Sequence, residues 1–221
     1  MQNSCIDLYC GLGGWAEGFL SEGYEVIGFD IWRHDYGTGA YPGQLVLQDV
    51  RTLHGSQFRN ATVIVASPPC QEPSYRAMPW KRAKALNAIG PPHKFIELFE
   101  TCFRIQREAC EASGRHIPLI VENVRGAQKW VGRAAWNYGS MYLWGDVPAL
   151  MPHGKHKKLA GNNSPRLWSE RKCQRLAGAL THGADYAFYL KGSASVSRKA
   201  ASAQIAKIPF PLAQHIARCF K

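Results

Sequence analysis

Short apolar runs rich in β-branched residues alternate with helical stretches along residues 4–121 of this 221-residue chain. Two runs, 62–66 and 117–121, are almost entirely apolar, which is typical of parallel strands covered on both faces. Helices are predicted at 14–21 and 94–113, where apolar residues recur at three- and four-residue steps. The remaining predicted strands are 4–9, 24–29 and 45–47. Repeated strand–helix–strand units predict an α/β fold with a doubly wound, mostly parallel sheet.

Size and composition exclude several classes of protein. A chain of this length buries a sizeable core without disulfide or metal staples. The seven cysteines are an odd number, so we expect at least one free thiol. No apolar window is long enough for a membrane span, and the first residues lack the pattern of a secretion signal, so we expect a soluble, unexported protein.

A glycine-rich turn lies where the first predicted strand gives way to the first helix. It contains Gly11, Gly13 and Gly14, which let the backbone approach a ligand beside the free N–H groups of a helix start. Asp30 ends the second strand, where an acid can accept hydrogen bonds from the hydroxyls of a ribose, and Asp49 follows the third strand. The glycine spacing departs from G-x-G-x-x-G and argues against a nicotinamide enzyme. A merely tight turn is the alternative for the glycines alone.

Cys70 follows the fourth predicted strand on a polar turn stiffened by two prolines. There it is a candidate nucleophile, because a thiolate reacts near neutral pH once its pKa is modestly lowered. Glu122 directly follows the fifth predicted strand, and an acid there is costly unless it has a role or a partner. The alternative for Glu122 is a helix cap or an ion pair with Arg125. Four other cysteines are interpreted as small buried hydrophobes: Cys5, Cys102, Cys110 and Cys219.

The positive charge is concentrated near the end of the chain. Residues 151–207 hold eleven Lys and Arg against two acids, so they carry +9 of the formal net charge of +11. This predicts a partition into an α/β domain at 1–150, a small basic region at 151–207 that is an appendage or an elaborated loop, and a C-terminal helix at 208–221 that returns to the α/β domain. A solvated loop is the alternative for the basic region. His153 and His156 lack further ligands nearby, so no metal site is predicted.

Three motifs, taken in order, resemble those of the cytosine-C5 DNA methyltransferase family. They are Asp7 to Gly14, Pro69-Cys70-Gln71 and Glu122-Asn123-Val124. The short length and the segment 130–148 look like the compact members carried by bacteriophages, and 206–213 resembles the family's C-terminal motif. The resemblance implies a Rossmann-like, class I fold that uses S-adenosylmethionine as its cofactor.

The resemblance also implies roles for individual residues. Cys70 would add to C6 of a flipped-out cytosine while Glu122 holds or protonates N3, after which C5 takes the methyl group. The substrate-binding residues implied are Gln71, Asn123, Arg76 and Arg133, the two arginines as candidates to replace an arginine motif that is missing after Asn137-Tyr138-Gly139. The cofactor-binding residues implied are Asp7, Tyr9, Gly11, Gly13, Gly14, Asp30, Ile31, Trp32, Asp49, Val50 and Pro69.

The expected partner is double-stranded DNA, gripped through its phosphates by the basic region, with no membrane and no metal. The expected location is the cytoplasm of a bacterium or of a phage-infected host cell. Two alternatives stay open: a catalytically silent protein of the same fold that binds cofactor or DNA, and an RNA cytosine-C5 methyltransferase. The sequence leaves the oligomeric state open.

Overall fold

The computed structural model describes residues 2–34, 36, 39–70, 93–152, 200 and 203–221. The chain divides into two compact units, one formed by 1–35, 40–156 and 207–221 and the other by 36–39 and 157–206. Nearly all of the second unit lies outside the described residues, as do Gln71 and Arg76. The three-part domain partition therefore stays a prediction.

The first unit contains one sheet and four helices among its described residues. The helices are α1 (Gly14–Ser21), α2 (His93–Ser113), α3 (Gln128–Val131) and α4 (Phe210–Cys219). The strands are β1 (Ser4–Leu8), β2 (Glu25–Asp30), β3 (Gln44–Leu47), β4 (Val63–Ala66), β5 (Leu119–Asn123), β6 (Trp136–Tyr138) and β7 (Met141–Gly145). Short 3₁₀ turns occupy Val50–Thr52, Gly55–Phe58 and Arg125–Ala127.

The seven strands lie in the order β3-β2-β1-β4-β5-β7-β6. Strands β1 to β5 are parallel to one another, whereas β7 runs antiparallel to both of its neighbours, β5 and β6. The chain moves outward from β1 to β3 and then returns to β4 and β5 on the other side. The predicted doubly wound, mostly parallel sheet is confirmed, and the crevice of such a sheet lies outside the carboxyl ends of its parallel strands.

Apolar side chains cover both faces of the sheet. On one face, Leu119 and Val121 pack in a cluster with α2 residues such as Ile105. On the other face, Ile120 packs in a cluster with Trp15 of α1 and Leu212 of α4. Successive residues of β5 thus point to opposite sides, as the pleat of a strand requires. This burial on two faces explains why the parallel strands are apolar at nearly every position.

The C-terminal helix packs against the first helix of the chain. A Cβ added at Gly18 of α1 would come within 2.4 Å of the Ala213 Cβ of α4, so the two helices approach too closely for a larger residue. An ion pair at 2.9 Å joins Arg218 of α4 to Glu22, the residue that follows α1. These contacts hold α4 against α1.

Two expectations from the sequence are wrong in detail. Strand β5 starts at Leu119 and ends at Asn123, so Glu122 lies within the strand and not after it. The sequence pattern also missed the hairpin of β6 and β7, whose strands join through Gly139 and Ser140. Gly139 has a φ of 61°, and glycine at the first central position is characteristic of a type II′ turn.

No helix among the described residues is long and apolar enough to cross a membrane.

Candidate active site

The motifs singled out in the sequence meet at the carboxyl edge of the sheet. Leu8 at the end of β1 pairs with Ala66 at the end of β4, and Ala66 pairs with Val121 near the end of β5. The glycine-rich turn, the segment that leads to Cys70, and Glu122 therefore lie side by side where three parallel strands end. A crevice at this edge is the usual ligand site of an open α/β sheet.

The glycine-rich turn is held in a conformation that depends on its glycines. Gly13 has a φ of 74°, and a Cβ there would meet the Pro42 side chain at 2.5 Å. Gly14 begins α1, and a Cβ there would lie 2.5 Å from the Ile208 backbone nitrogen. Tyr9 is non-glycine yet has a φ of 56°, a sparsely populated conformation that is often found at functional sites.

Asp30 fastens this turn to the end of β2. Its carboxylate accepts hydrogen bonds from the backbone N–H of Gly11 at 3.0 Å and of Trp32 at 3.2 Å. His34 lies 3.3 Å from the same carboxylate, and this hydrogen bond raises the pKa of the histidine. Ile31 and Trp32 follow directly and are mostly exposed, Trp32 at 67%. The turn thus presents an acid and an apolar surface next to each other, a combination that suits a nucleoside.

Asp7 lies beneath the turn and is fully buried. Its Oδ2 accepts a hydrogen bond from the Tyr41 hydroxyl at 3.0 Å, whereas Oδ1 has no hydrogen-bond partner among the described residues. Burial raises the pKa of Asp7 well above its ordinary value. Sequence reasoning missed Tyr41, although Gly28 gave a signal: a glycine inside a strand often marks close approach, and a Cβ at Gly28 would meet the Tyr41 ring at 2.5 Å.

Asp49 and Val50 follow β3 in a 3₁₀ turn. The Asp49 carboxylate caps this turn by accepting from the Arg51 backbone N–H at 2.9 Å, and it also pairs with the Arg51 guanidinium at 2.6 Å. The hydrogen bonds from Arg51 lower the pKa of Asp49. Val50 is buried in the core. A ligand amino group would therefore share the Asp49 carboxylate with Arg51.

Cys70 lies just beyond β4 and is half-buried. The Asn123 side chain of β5 donates a hydrogen bond to the Pro68 carbonyl at 2.8 Å, two residues before the thiol. Ser67 is held from two sides, because its N–H donates to the Leu8 carbonyl at 3.0 Å and its hydroxyl accepts from the Trp15 indole at 3.0 Å. The approach to Cys70 is thus fixed to both neighbouring strands.

The ionisation states of Cys70 and Glu122 depend on burial. Burial raises the pKa of Glu122 to about 8, a rise that a hydrogen bond with Ser67 reduces. Burial, and then the charge of Glu122, raise the pKa of Cys70 to about 11. Glu122 is 7% exposed and forms no ion pair with a described basic residue, Arg125 included. The resting pair at neutral pH is therefore a thiol beside a largely protonated carboxyl group.

The other candidate positions lie around this centre. Pro69 and Arg133 are exposed, Arg133 just beyond α3. Cys219 is also exposed, which makes its interpretation as a buried hydrophobe wrong, because it lies at the outer end of α4. Within the described ranges, no group of three His, Cys, Asp or Glu side chains could hold a metal ion.

Comparisons with solved structures give matches that cover 58–59% of this chain. One is described as a DNA modification methyltransferase encoded within a prophage (E. coli), with 21% identity and a TM-score of 0.42. The Dnmt2 methyltransferase of S. pombe matches with 16% identity and a TM-score of 0.38, and the Entamoeba histolytica methyltransferase EhMeth with 17% and 0.39. The match spans only 34%, 36% and 40% of these three chains, respectively.

No curated protein matches the sequence. The model of the C-5 cytosine-specific DNA methylase family matches residues 3–129, more than half of the chain and the part that contains all three motifs. The chain therefore belongs to the C-5 cytosine-specific DNA methylase family.

Proposed function

We propose that this protein transfers a methyl group to C5 of cytosine in double-stranded DNA through a covalent adduct with Cys70. The observation that carries the proposal is the placement of Cys70 and Glu122 at the ends of two paired strands, beside the glycine-rich turn. Family membership supports the reaction class.

S-adenosylmethionine is the cofactor that the family implies, and the residues present fit it. Asp30 and the exposed Trp32 offer a carboxylate for ribose hydroxyls and an apolar surface for adenine. The buried Asp7 Oδ1 without a partner is a further polar group under the turn. When bound, the cofactor would supply an electrophilic methyl group. Gly11 and Gly13 would let the backbone approach it, and Asp49 would border its adenine, whereas Val50 is buried in the core beneath.

The chemistry of the base requires both side chains. C5 of cytosine is a weak nucleophile in the intact ring, so the Cys70 sulfur adds at C6 while N3 accepts a proton or hydrogen bond from Glu122. The electron pair moved onto C5 would then form the new carbon–carbon bond to the methyl group, as the bond between that methyl group and the cofactor's sulfur breaks and leaves its electron pair on the sulfur. Loss of the C5 proton to water would expel the Cys70 sulfur and restore the ring. Because the base inside a duplex is inaccessible, it is first flipped out of the stack.

The protonation state of Glu122 supports its role, because a pKa of about 8 keeps its proton available to N3 near neutral pH. Burial raises the pKa of Cys70 to about 11, opposite to the lowered value expected of a nucleophilic thiol. Attack by Cys70 therefore requires that the thiol pass its proton to water or to another base. Asn123, by holding the Pro68 carbonyl, keeps the segment before the thiol against β5. Gln71, Arg76 and Arg133 remain the proposed substrate contacts.

The decisive test is trapping on duplex DNA that contains 5-fluorocytosine, incubated with S-adenosylmethionine and analysed on denaturing gels. The C5 fluorine cannot leave as a cation, so we expect a stable protein–DNA complex. Cys70→Ser should abolish this complex. Cys219→Ser is the matched control, since it removes an exposed thiol at the end of α4 and should leave trapping unchanged.

Other outcomes of this experiment separate the alternatives. Binding of cofactor and DNA without any trapped complex would favour a catalytically silent protein of the same fold. A complex formed only on RNA containing 5-fluorocytosine would favour an RNA methyltransferase. A complex that survives Cys70→Ser would assign the nucleophile to another residue.

A further inference from the structure

We propose that Arg125, Lys129 and Arg133 form a binding surface for the phosphate backbone of DNA, beside the site that receives the flipped cytosine. We call these three exposed side chains the basic stripe. The inference rests on the proposed function for the identity of the polyanion. It adds a surface within the catalytic unit to the basic region at 151–207.

The position of the basic stripe follows from the strand that carries Glu122. Arg125 is two residues beyond Asn123, the last residue of β5, so their Cα atoms lie within about 8 Å of each other. Residues 125–131 continue as a 3₁₀ turn and then α3, which places Arg125 and Lys129 one helical turn apart. The basic stripe therefore leads away from the carboxyl edge of the sheet, where the backbone of an extruded nucleotide would pass.

Along the chain, the segment that carries the basic stripe has charge of one sign, although Glu100 of α2 lines the same surface pocket as Trp130 and Val131. Residues 123–145 contain three basic side chains and no Asp or Glu. Neither Arg125 nor Arg133 has a carboxylate within 4.0 Å in the described part of the chain. By contrast, Arg51, Arg104 and Arg218 pair with acids. A guanidinium that has no carboxylate to neutralise it is available for the bidentate contact that phosphate accepts.

The backbone under the basic stripe is held in place by side chains that have no charge. The Gln128 amide donates to the Arg125 carbonyl at 3.4 Å, and its oxygen accepts from the Ala134 N–H at 3.2 Å. The Trp144 indole of β7 donates to the Gly132 carbonyl at 3.0 Å, immediately before Arg133. These bonds tie both ends of the segment to the fold. A surface fixed before binding loses less entropy when it meets its ligand.

The competing explanation is a solvated charged face that only keeps the protein soluble. For Lys129 this explanation has some support, because its ammonium already makes a contact within the protein, 4.4 Å from the Trp130 ring centroid. Spread charges of mixed sign would serve solubility equally well, whereas a run of one sign next to the reacting groups is typical of a phosphate-binding surface.

The test compares Arg125→Gln/Arg133→Gln with Arg59→Gln, in the full chain. Arg59 is an exposed arginine without an acidic partner in the described part of the chain. Its neighbour Asn60 contacts Ser4 at the opposite, amino edge of the sheet. Binding to a duplex of defined length is measured by fluorescence anisotropy at several salt concentrations. The plot of log binding constant against log salt concentration has a slope of about −0.9 per phosphate contact.

We expect the double variant to lower the magnitude of this slope by about 1.8, since two phosphate contacts are lost. Between 50 and 200 mM salt, the affinity of the variant should therefore fall about tenfold less than that of the wild type. Arg59→Gln should match the wild type. The circular dichroism spectra of all three proteins should agree, because no removed side chain has a described acidic partner.

Equal slopes for the double variant and Arg59→Gln would overturn the proposal, as would a wild-type protein that does not bind duplex DNA. The proposal would also be overturned if the double variant changed the salt dependence of binding to RNA but not that of binding to DNA. Because this measurement needs no methyl transfer, it is separate from the trapping experiment. A protein that shows no trapping but keeps the slope difference would lose the proposed reaction and retain this surface.

Discussion

Replacing Glu122 by Gln should make the stability of the protein less dependent on pH. Glu122 lies in β5 with only 7% of its surface exposed, and burial raises its pKa from 4.5 to about 8. In the unfolded chain the carboxyl group is hydrated and loses its proton near pH 4.5. Between about pH 4.5 and pH 8, the folded protein therefore holds a proton on Glu122 that the unfolded chain has already released.

The sign and size of the effect follow from this difference. Below about pH 4.5 both states are protonated and Glu122 imposes no penalty. As the pH rises to about 8, the unfolded state is increasingly favoured, because proton binding by the folded state alone makes stability fall with pH. At about 1.4 kcal/mol per pKa unit, the interval corresponds to a loss of about 5 kcal/mol from the free energy of unfolding.

The assay is urea unfolding of wild type and Glu122→Gln at pH values from 4.5 to 9, followed by tryptophan fluorescence. Glutamine keeps the shape of the side chain and a carbonyl oxygen for hydrogen bonding, but it does not titrate. The difference in free energy between the two proteins should grow with pH and level off above about pH 8 in favour of Glu122→Gln. Glu25→Gln is the control, since Glu25 is exposed at the start of β2 and its removal should leave the pH profile unchanged.

Parallel stability curves for the wild type and Glu122→Gln between pH 5 and 8.5 would refute this reasoning. They would mean that the carboxylate of Glu122 is as well solvated in the folded protein as in the unfolded chain. Its proposed role as a proton donor to N3 would then need another explanation.

Two further perturbations test the packing under the glycine-rich turn. Tyr41→Phe should lower the free energy of unfolding by roughly 1–3 kcal/mol, because it removes the described hydrogen-bond donor to the buried Asp7 carboxyl group. Urea unfolding measures this change, and an unchanged unfolding midpoint would contradict the prediction. Gly14→Ala should cost roughly 1–3 kcal/mol, since its Cβ would lie 2.5 Å from the Ile208 backbone. We also expect Gly14→Ala to weaken the binding of S-adenosylmethionine measured by calorimetry. If the stability of Gly14→Ala equals that of the wild type, the C-terminal segment can move away from the added methyl group, and the prediction is wrong.

The parts of the fold that sequence predicted are those set by local pattern. Apolar runs and three- and four-residue steps placed β4, α1 and α2 close to their observed bounds, because hydrophobic periodicity reflects which side of an element is buried. The sequence did not predict the hairpin of β6 and β7, because β6 is only three residues long and a pattern this short is not distinctive. Its strands are placed by pairing with each other and with β5.

In the candidate site, too, local pattern predicted some residues and missed others. Cys70, Glu122 and Asp30 were chosen from their places at strand ends, and parallel strands bring such ends to one edge. Tyr41 was missed, because its contact with Asp7 spans 34 residues; Gly28 indicates that another group approaches β2 closely, but it does not identify that group as Tyr41. The hydrogen bond from Asn123 to the Pro68 carbonyl, across 55 residues, depends equally on how two strands pair.

By itself, the sequence determined the order of β1 to β5 with helices α1 and α2, the glycine-rich turn, the reactive residues available and the position of the positive charge. These follow from side-chain size, polarity and spacing, which act over a few residues. The tertiary structure alone decided which atoms meet and how they ionise. The raised pKa values of Cys70 and Glu122 come from burial by neighbouring strands. That Arg125 and Arg133 have no carboxylate within 4.0 Å among the described residues depends on what lies around them in space. Desolvation and charge act through space, so residues far apart in the chain set these properties together.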